Sequence, residues 1–244
     1  MRLVNRIAAC AVAAVLSLSM LTACGGGESV ALGEIAKENS FTYKTIQTLS
    51  GDKSYIEAEV TANNMVVTEA IAKDGQKSYI GVSVEGISES MFYNGSVAGV
   101  AVGKGNNKIA FVSQTADMDD LDVMNVSSSL QKLAPDFASV LKTMPDKVTR
   151  EAKQVNNKTY YVETFNDSAW YYLGSELKYV VASQNGVEQG RATIKAVSTN
   201  PNSSLFEVPA GCTTYTYKNN KYYDANGNEF TENDMMQVLY SILA

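Results

Sequence analysis

The sequence predicts an α+β fold in which a long antiparallel meander is packed by a few helices. Three observations carry that expectation. Short runs of β-branched and aromatic residues recur from Phe41 to about Gln114 and again from Val148 to Ser198. Asp74-Gly75, Asn94-Gly95, Asn185-Gly186 and Asn226-Gly227 fall between such runs, and these pairs accept the positive φ angles of type I′ hairpin turns. Between the two strand-rich stretches, Leu130, Leu133, Phe137, Val140, Leu141 and Met144 recur at helical spacing, which makes one apolar stripe.

The chain of 244 residues opens on a different kind of segment. Arg2 and Arg6 are followed by the apolar stretch Ile7–Met20 and then by Leu21-Thr22-Ala23-Cys24, the pattern of an export leader rather than of a spanning helix. The tetrapeptide resembles the lipobox of bacterial lipoproteins. That resemblance implies removal of residues 1–23, a diacylglyceryl thioether on Cys24, N-acylation with chains such as palmitate, and attachment to the extracytoplasmic face of a cell membrane. Stable attachment takes roughly two acyl chains. Residues 24–40, with Gly25, Gly26 and Gly27, are read as the lipidated Cys and its tether, and 41–244 as one domain.

Within that domain Lys53–Val60 has the clearest period. Ile56, Ala58 and Val60 alternate with Tyr55, Glu57 and Glu59, so the strand has one apolar and one wet face. Gly99 and Gly103 interrupt the apolar run that begins at Val97, which points to a bend or a close backbone approach. Asn106-Asn107 then turns into Lys108–Ser113. Pro135 breaks the mid-chain helical stretch, because proline removes a donor and costs about 3 kcal/mol inside a helix. Strands resume through Thr159–Phe165, Ala169–Leu173, Leu177–Ser183 and Val187–Ser198, followed by a hairpin over Tyr215–Tyr223. Thr231 and Asp234 form a variant capping box ahead of a last helix, with Met235, Val238, Leu239 and Ile242 as its stripe.

Composition excludes several functions. Loss of Arg2 and Arg6 from a chain with 20 Lys and Arg and 26 Asp and Glu leaves a formal charge of −8. Such a surface repels phosphate backbones, so no nucleic-acid partner is expected and the acyl anchor holds the membrane without basic help. With Cys10 in the leader and Cys24 a thioether, Cys212 has no cysteine to pair with and reads as a small hydrophobe. The chain has no histidine, which closes Ser-His-Asp and Cys-His catalysis and the commonest zinc sites. No enzyme activity, cofactor or metal is expected.

The paired runs Tyr55–Val60 and Val66–Ala72, the Met91-Phe92-Tyr93-Asn94-Gly95 turn, the helical stretch 126–144 and the run Leu205-Phe206-Glu207-Val208-Pro209 together resemble the LolA/LolB/LppX-like lipoproteins. The resemblance covers about residues 41–210. It implies a curved sheet forming an incomplete β-barrel, covered by helices around an apolar cavity for acyl chains. Leu133, Phe137, Val140, Met144 and Trp170 are the residues expected to line such a cavity. On base rates Leu133, Phe137, Val140 and Met144 more often complete a packed core than wall a ligand. The leading expectation is a non-catalytic envelope lipoprotein that binds a hydrophobic or acyl-chain ligand. The alternative is a scaffold, or a protein- or glycan-binding module, with a solid core.

Other clusters read more plainly as structure. Asp117, Asp119, Asp120 and Asp122 suit a helix N-terminus better than calcium, since the EF-hand glycine and terminal glutamate are missing. The run Asp224–Glu229 reads as a hairpin tip around Asn226-Gly227. Glu57 with Glu59, and Glu163 with Asp167, are acid pairs of the kind wet sheet faces carry. In Trp170-Tyr171-Tyr172 alternation puts Trp170 and Tyr172 on one face and Tyr171 on the other.

Overall fold

The computed structural model describes residues 28–62, 65–114, 137–165, 167–184, 187–219 and 221–243. It is α+β and mostly sheet. The strands are β1 (Ser29–Ala36), β2 (Lys53–Ala62), β3 (Met65–Asp74), β4 (Lys77–Val84), β5 (Ile87–Tyr93), β6 (Val97–Lys104) and β7 (Asn107–Gln114), then β8 (Lys147–Val155), β9 (Lys158–Phe165), β10 (Ser168–Leu173), β11 (Glu176–Gln184) and β12 (Val187–Ser198), and finally β13 (Thr213–Lys218), β14 (Lys221–Tyr223) and β15 (Glu229–Phe230). Helices α1 (Phe41–Leu49), α2 (Phe137–Thr143) and α3 (Glu232–Leu243) accompany them. The strands form an open, 15-stranded sheet in the order β1-β8-β9-β10-β11-β12-β2-β3-β4-β5-β6-β7-β13-β14-β15. Its described residues fall into two compact units, one of 28–68 with 137–199 and one of 69–114 with 200–243.

In the first unit, two segments differ from the sequence expectation. Ser29–Ala36, inside the stretch read as tether, is a strand hydrogen-bonded to β8, with a bulge between Ala31 and Gly33. Phe41–Leu49, expected as strand because of its aromatic and β-branched residues, is helix α1. Its start is fixed by caps. Ser40 Oγ accepts from Tyr43 N at 2.9 Å, and the Glu163 carboxylate accepts from Phe41 N at 3.0 Å and Thr42 N at 2.7 Å. Three of the four free donors of a helix N-terminus are thereby satisfied. Thr42, Ile46 and Leu49 then turn inward. Ile46 packs with Met144, Val148 and Phe165, and Tyr43, Phe137, Val140, Leu141 and Trp170 close around them. On the other face of the sheet Val162, Tyr171 and Val181 form a second cluster, with Tyr171 stacked on Tyr179 at 4.2 Å and the Arg191 guanidinium 4.9 Å above Tyr179.

The second unit carries the hairpins that the Asx-Gly pairs predict. Gly75, Gly95 and Gly227 all have positive φ, and Asn94 Oδ1 accepts from Ser96 N and Val97 N. Asn185-Gly186 lies outside the described residues. β13 joins β7 in parallel, so the sheet is mixed rather than a pure meander. Met235 and Ile242 of α3 sit on Ile80, Met91, Ala98, Ile109 and Phe111. The predicted capping box starts this helix: Asp234 N donates to Thr231 Oγ1 at 3.2 Å and Thr231 N donates to Asp234 Oδ2 at 2.9 Å. Gly99 is explained by Phe92, whose fully buried ring lies where a Cβ at 99 would stand, 2.4 Å away.

Among the described residues, one carboxyl oxygen each of buried Glu69 on β3 and partly buried Glu89 on β5 is enclosed without a hydrogen-bond partner. Desolvation pushes both up to about 7. A carboxyl raised above its unfolded value holds a proton the unfolded chain would release, so its stabilising contribution is complete below about pH 4.5 and is lost as pH rises through about 7. Glu69→Gln is therefore expected to raise stability at pH 8 by about 1–3 kcal/mol and to change it little at pH 4.5. Urea unfolding at the two pH values measures this; an equal effect at both would contradict it.

Candidate ligand-binding groove

β11 and β12 are paired from Gln184 with Val187 to Tyr179 with Thr193, and there they part. Beyond that level Glu176 and Leu177 pair only with β10, through Leu173 and Tyr172, while Ile194–Ser198 pair only with β2. An extra residue stands in each strand at the parting. Lys178 is inserted between the partners of Tyr171 and Tyr172, and Lys195 between those of Ala58 and Glu57. Bulges bend the strand that carries them, and two on opposite sides of one gap turn the strands apart.

The gap is a groove of about 500 Å³ with α1 as its first wall. Phe41, Lys44, Thr45 and Thr48 line it, positions i, i+3, i+4 and i+7 of one helix face. The opposite face of α1 is the buried one, so amphipathicity places both stripes at once. Ser175, Glu176 and Leu177 form the second wall and Ile194–Val197 the third. Glu176 is ion-paired to Lys178, and Lys195 to Glu59 at 2.8 Å. Among the described residues the exposed ammonium of Lys44 has no acidic partner. The groove thus offers hydroxyls, an uncommitted positive charge, apolar side chains and a strand edge.

Its helix wall is held rigidly from beneath. Tyr172 is fully buried, and its hydroxyl donates to Thr42 Oγ1 at 3.2 Å and Thr45 Oγ1 at 3.4 Å; burial pushes its ionisation well above the ordinary tyrosine range. The Phe41 ring lies 5.3 Å from that of Tyr172, with the Arg150 guanidinium 4.5 Å above it. Arg150 donates through Nε to Glu163 at 3.0 Å and also through Nη2. Glu163 is fully buried, and among the described residues its four hydrogen bonds come from Arg150 and the α1 backbone.

The residues expected to face a ligand are distributed otherwise. Phe137, Val140, Met144 and Trp170 are brought together, but in the packed cluster beneath α1 and α2, where Met144 is 3 % exposed. Trp170 Nε1 donates to Ser168 Oγ and its ring stacks on Phe165. Leu133, Pro135, Cys24 and the aspartates at 117, 119, 120 and 122 lie outside the described residues. Glu57 accepts from the Tyr55 hydroxyl and Glu59 holds Lys195, while Glu163 caps α1 and Asp167 takes a positive φ in the β9–β10 turn. Asp224 accepts from Asn226 N and Asn228 N, which builds the expected turn. Cys212 is half-buried against Phe92, Ala101, Ala110 and Val112, and burial raises its thiol. Sequence reasoning missed Phe41, Lys44, Thr45 and Ile194; an i, i+3, i+4, i+7 count over 41–48 is the signal that finds the first three. No described helix is long and apolar enough to cross a membrane.

The chain matches no family model and no curated protein.

Proposed function

We propose that this chain is a non-catalytic ligand-binding lipoprotein, anchored through Cys24 to the extracytoplasmic face of a cell membrane, and that its ligand occupies the groove between α1, β11 and β12. The observation that carries the binding site is the parting of β11 from β12 at facing bulges. Paired strands give up backbone hydrogen bonds to open such a gap, and bulges recur next to binding sites. The packing of the partly buried Phe137, Val140 and Trp170 against the buried Met144, Ile46, Val148 and Phe165 supports a binding module over a carrier with its cavity under the helices. The resemblance to LolA/LolB/LppX-like lipoproteins, with a curved sheet as an incomplete barrel, favours a second reading. In it Phe41, Leu177, Ile194 and Val197 receive an acyl chain.

Native mass spectrometry of the gently purified full-length protein tests both. A copurifying small molecule or peptide that disappears in Thr48→Trp, which fills the groove from the helix side, is the expected result. An adduct that survives Thr48→Trp would remove the groove from the proposal, and a copurified acyl lipid lost in that variant would decide for the second reading.

A further inference from the structure

The parted strands define the ligand more closely than the groove volume does. Among the described residues, the backbone of Ile194–Val197 has no ladder partner and no other hydrogen bond on the side facing β11, because β12 continues there on β2 alone. Four residues at about 3.3 Å each give an edge of roughly 13 Å, along which alternate residues aim their N–H and C=O away from β2. An acyl chain laid on that edge would take water from it and return no hydrogen bond, at a cost of about 1–3 kcal/mol per stranded group. An extended peptide returns all of them, as in strand addition to a sheet edge.

Charge points the same way. Of the ionic groups around the groove, Glu176 and Lys195 are committed to Lys178 and Glu59, which leaves Lys44 to meet an anion. Lys44 stands on the helix wall across from the strand edge, one turn from Phe41 and Thr48. A ligand that pairs its backbone with β12 can present a carboxylate to Lys44 while alternate side chains rest on Phe41 and Leu177.

Building on the groove assigned above, we propose that it takes a short extended peptide, which adds as a strand to Ile194–Val197 and places a carboxylate on Lys44. The carboxylate is a C-terminus or an acidic side chain, and the test separates these. The full lipidated chain in nanodiscs is titrated with pools of β-branched pentapeptides that carry an uncharged fluorophore. One pool has free C-termini, one has amidated C-termini, one is amidated with an internal glutamate, and one is acidic but N-methylated at alternate amides. Dodecyl phosphate serves as the rival amphiphile.

Binding of an acidic pool is expected, about tenfold weaker in Lys44→Glu and in the uncharged amide pool. N-methylation should abolish it, and amide exchange at 194–197 should slow on binding. Binding of the glutamate-bearing amide pool assigns the carboxylate to a side chain, and its absence assigns it to the C-terminus. Equal affinity of the N-methylated pool, or of Lys44→Glu, overturns the proposal. If only dodecyl phosphate binds, and Thr48→Trp blocks it, the peptide falls and the groove stands; if no probe binds, both fall.

Discussion

Secreted through an ordinary cleavable leader with alanine in place of Cys24, the protein is expected to leave the membrane fraction entirely, and the parent chain is expected to partition into detergent on phase separation. The expectation follows from the Leu21-Thr22-Ala23-Cys24 tetrapeptide and the apolar segment before it. Each buried methylene contributes about 0.8 kcal/mol, so two chains of about fifteen methylenes give on the order of 24 kcal/mol of gross burial, and nothing on an acidic domain replaces that. Replacing the leader together with the cysteine matters, because an unprocessed leader would itself hold the protein at the membrane. Mass spectrometry of the N-terminal peptide supplies the complementary result: Cys24 carrying a diacylglyceryl group. A variant that stays in the detergent phase, or a mature N-terminus elsewhere than Cys24, would overturn the anchor.

Glu163→Ala is expected to cost about 3–5 kcal/mol of stability, the largest loss for a single side chain away from the hydrophobic clusters. Its carboxylate is fully buried and meets Arg150 and two amides at the start of α1. Removal strands the guanidinium, which is itself only 18 % exposed, and leaves Phe41 N and Thr42 N unpaired under protein. Replacing both partners, Glu163→Leu with Arg150→Met, should restore a large part of the loss, since an apolar pair avoids the desolvation that an isolated charge suffers. The two helix amides stay uncapped in that double variant, so recovery should stop short of the parent by about 1–2 kcal/mol. Urea unfolding of the parent, Glu163→Leu, Arg150→Met and the double variant closes the cycle, and additive losses would mean that the two side chains do not act as a pair. Because Glu163 also seats Phe41 and the rest of the helix wall, the single variant should also weaken groove binding.

The parts of this fold that were legible in the sequence are the local ones. An Asn-Gly or Asp-Gly pair determines its own turn through the backbone angles it tolerates, and Thr231 with Asp234 determines a helix start within four residues. α1 escaped because its composition argues for strand: Phe41, Thr42, Tyr43, Thr45, Ile46 and Thr48 are all β-formers. The group that decides for helix, Glu163, lies 121 residues away from Thr42. The parallel pairing of β13 with β7 is likewise non-local, since it joins segments about a hundred positions apart. The groove was illegible for a third reason. It arises from two single-residue register shifts, and a bulge leaves the apolar alternation of its strand nearly unchanged.

The strand at Ser29–Ala36 changes what kind of attachment Cys24 could provide. With β1 stitched to β8, Cys24 lies five residue steps from the first paired residue, Ser29, and five steps reach at most about 18 Å. A lipid there would hold the domain as a post planted in the bilayer surface, unable to sweep the space above it. Its ligands would then be met within a few nanometres of the headgroups, so molecules emerging from the membrane or lying along it are the ones such a protein is placed to capture.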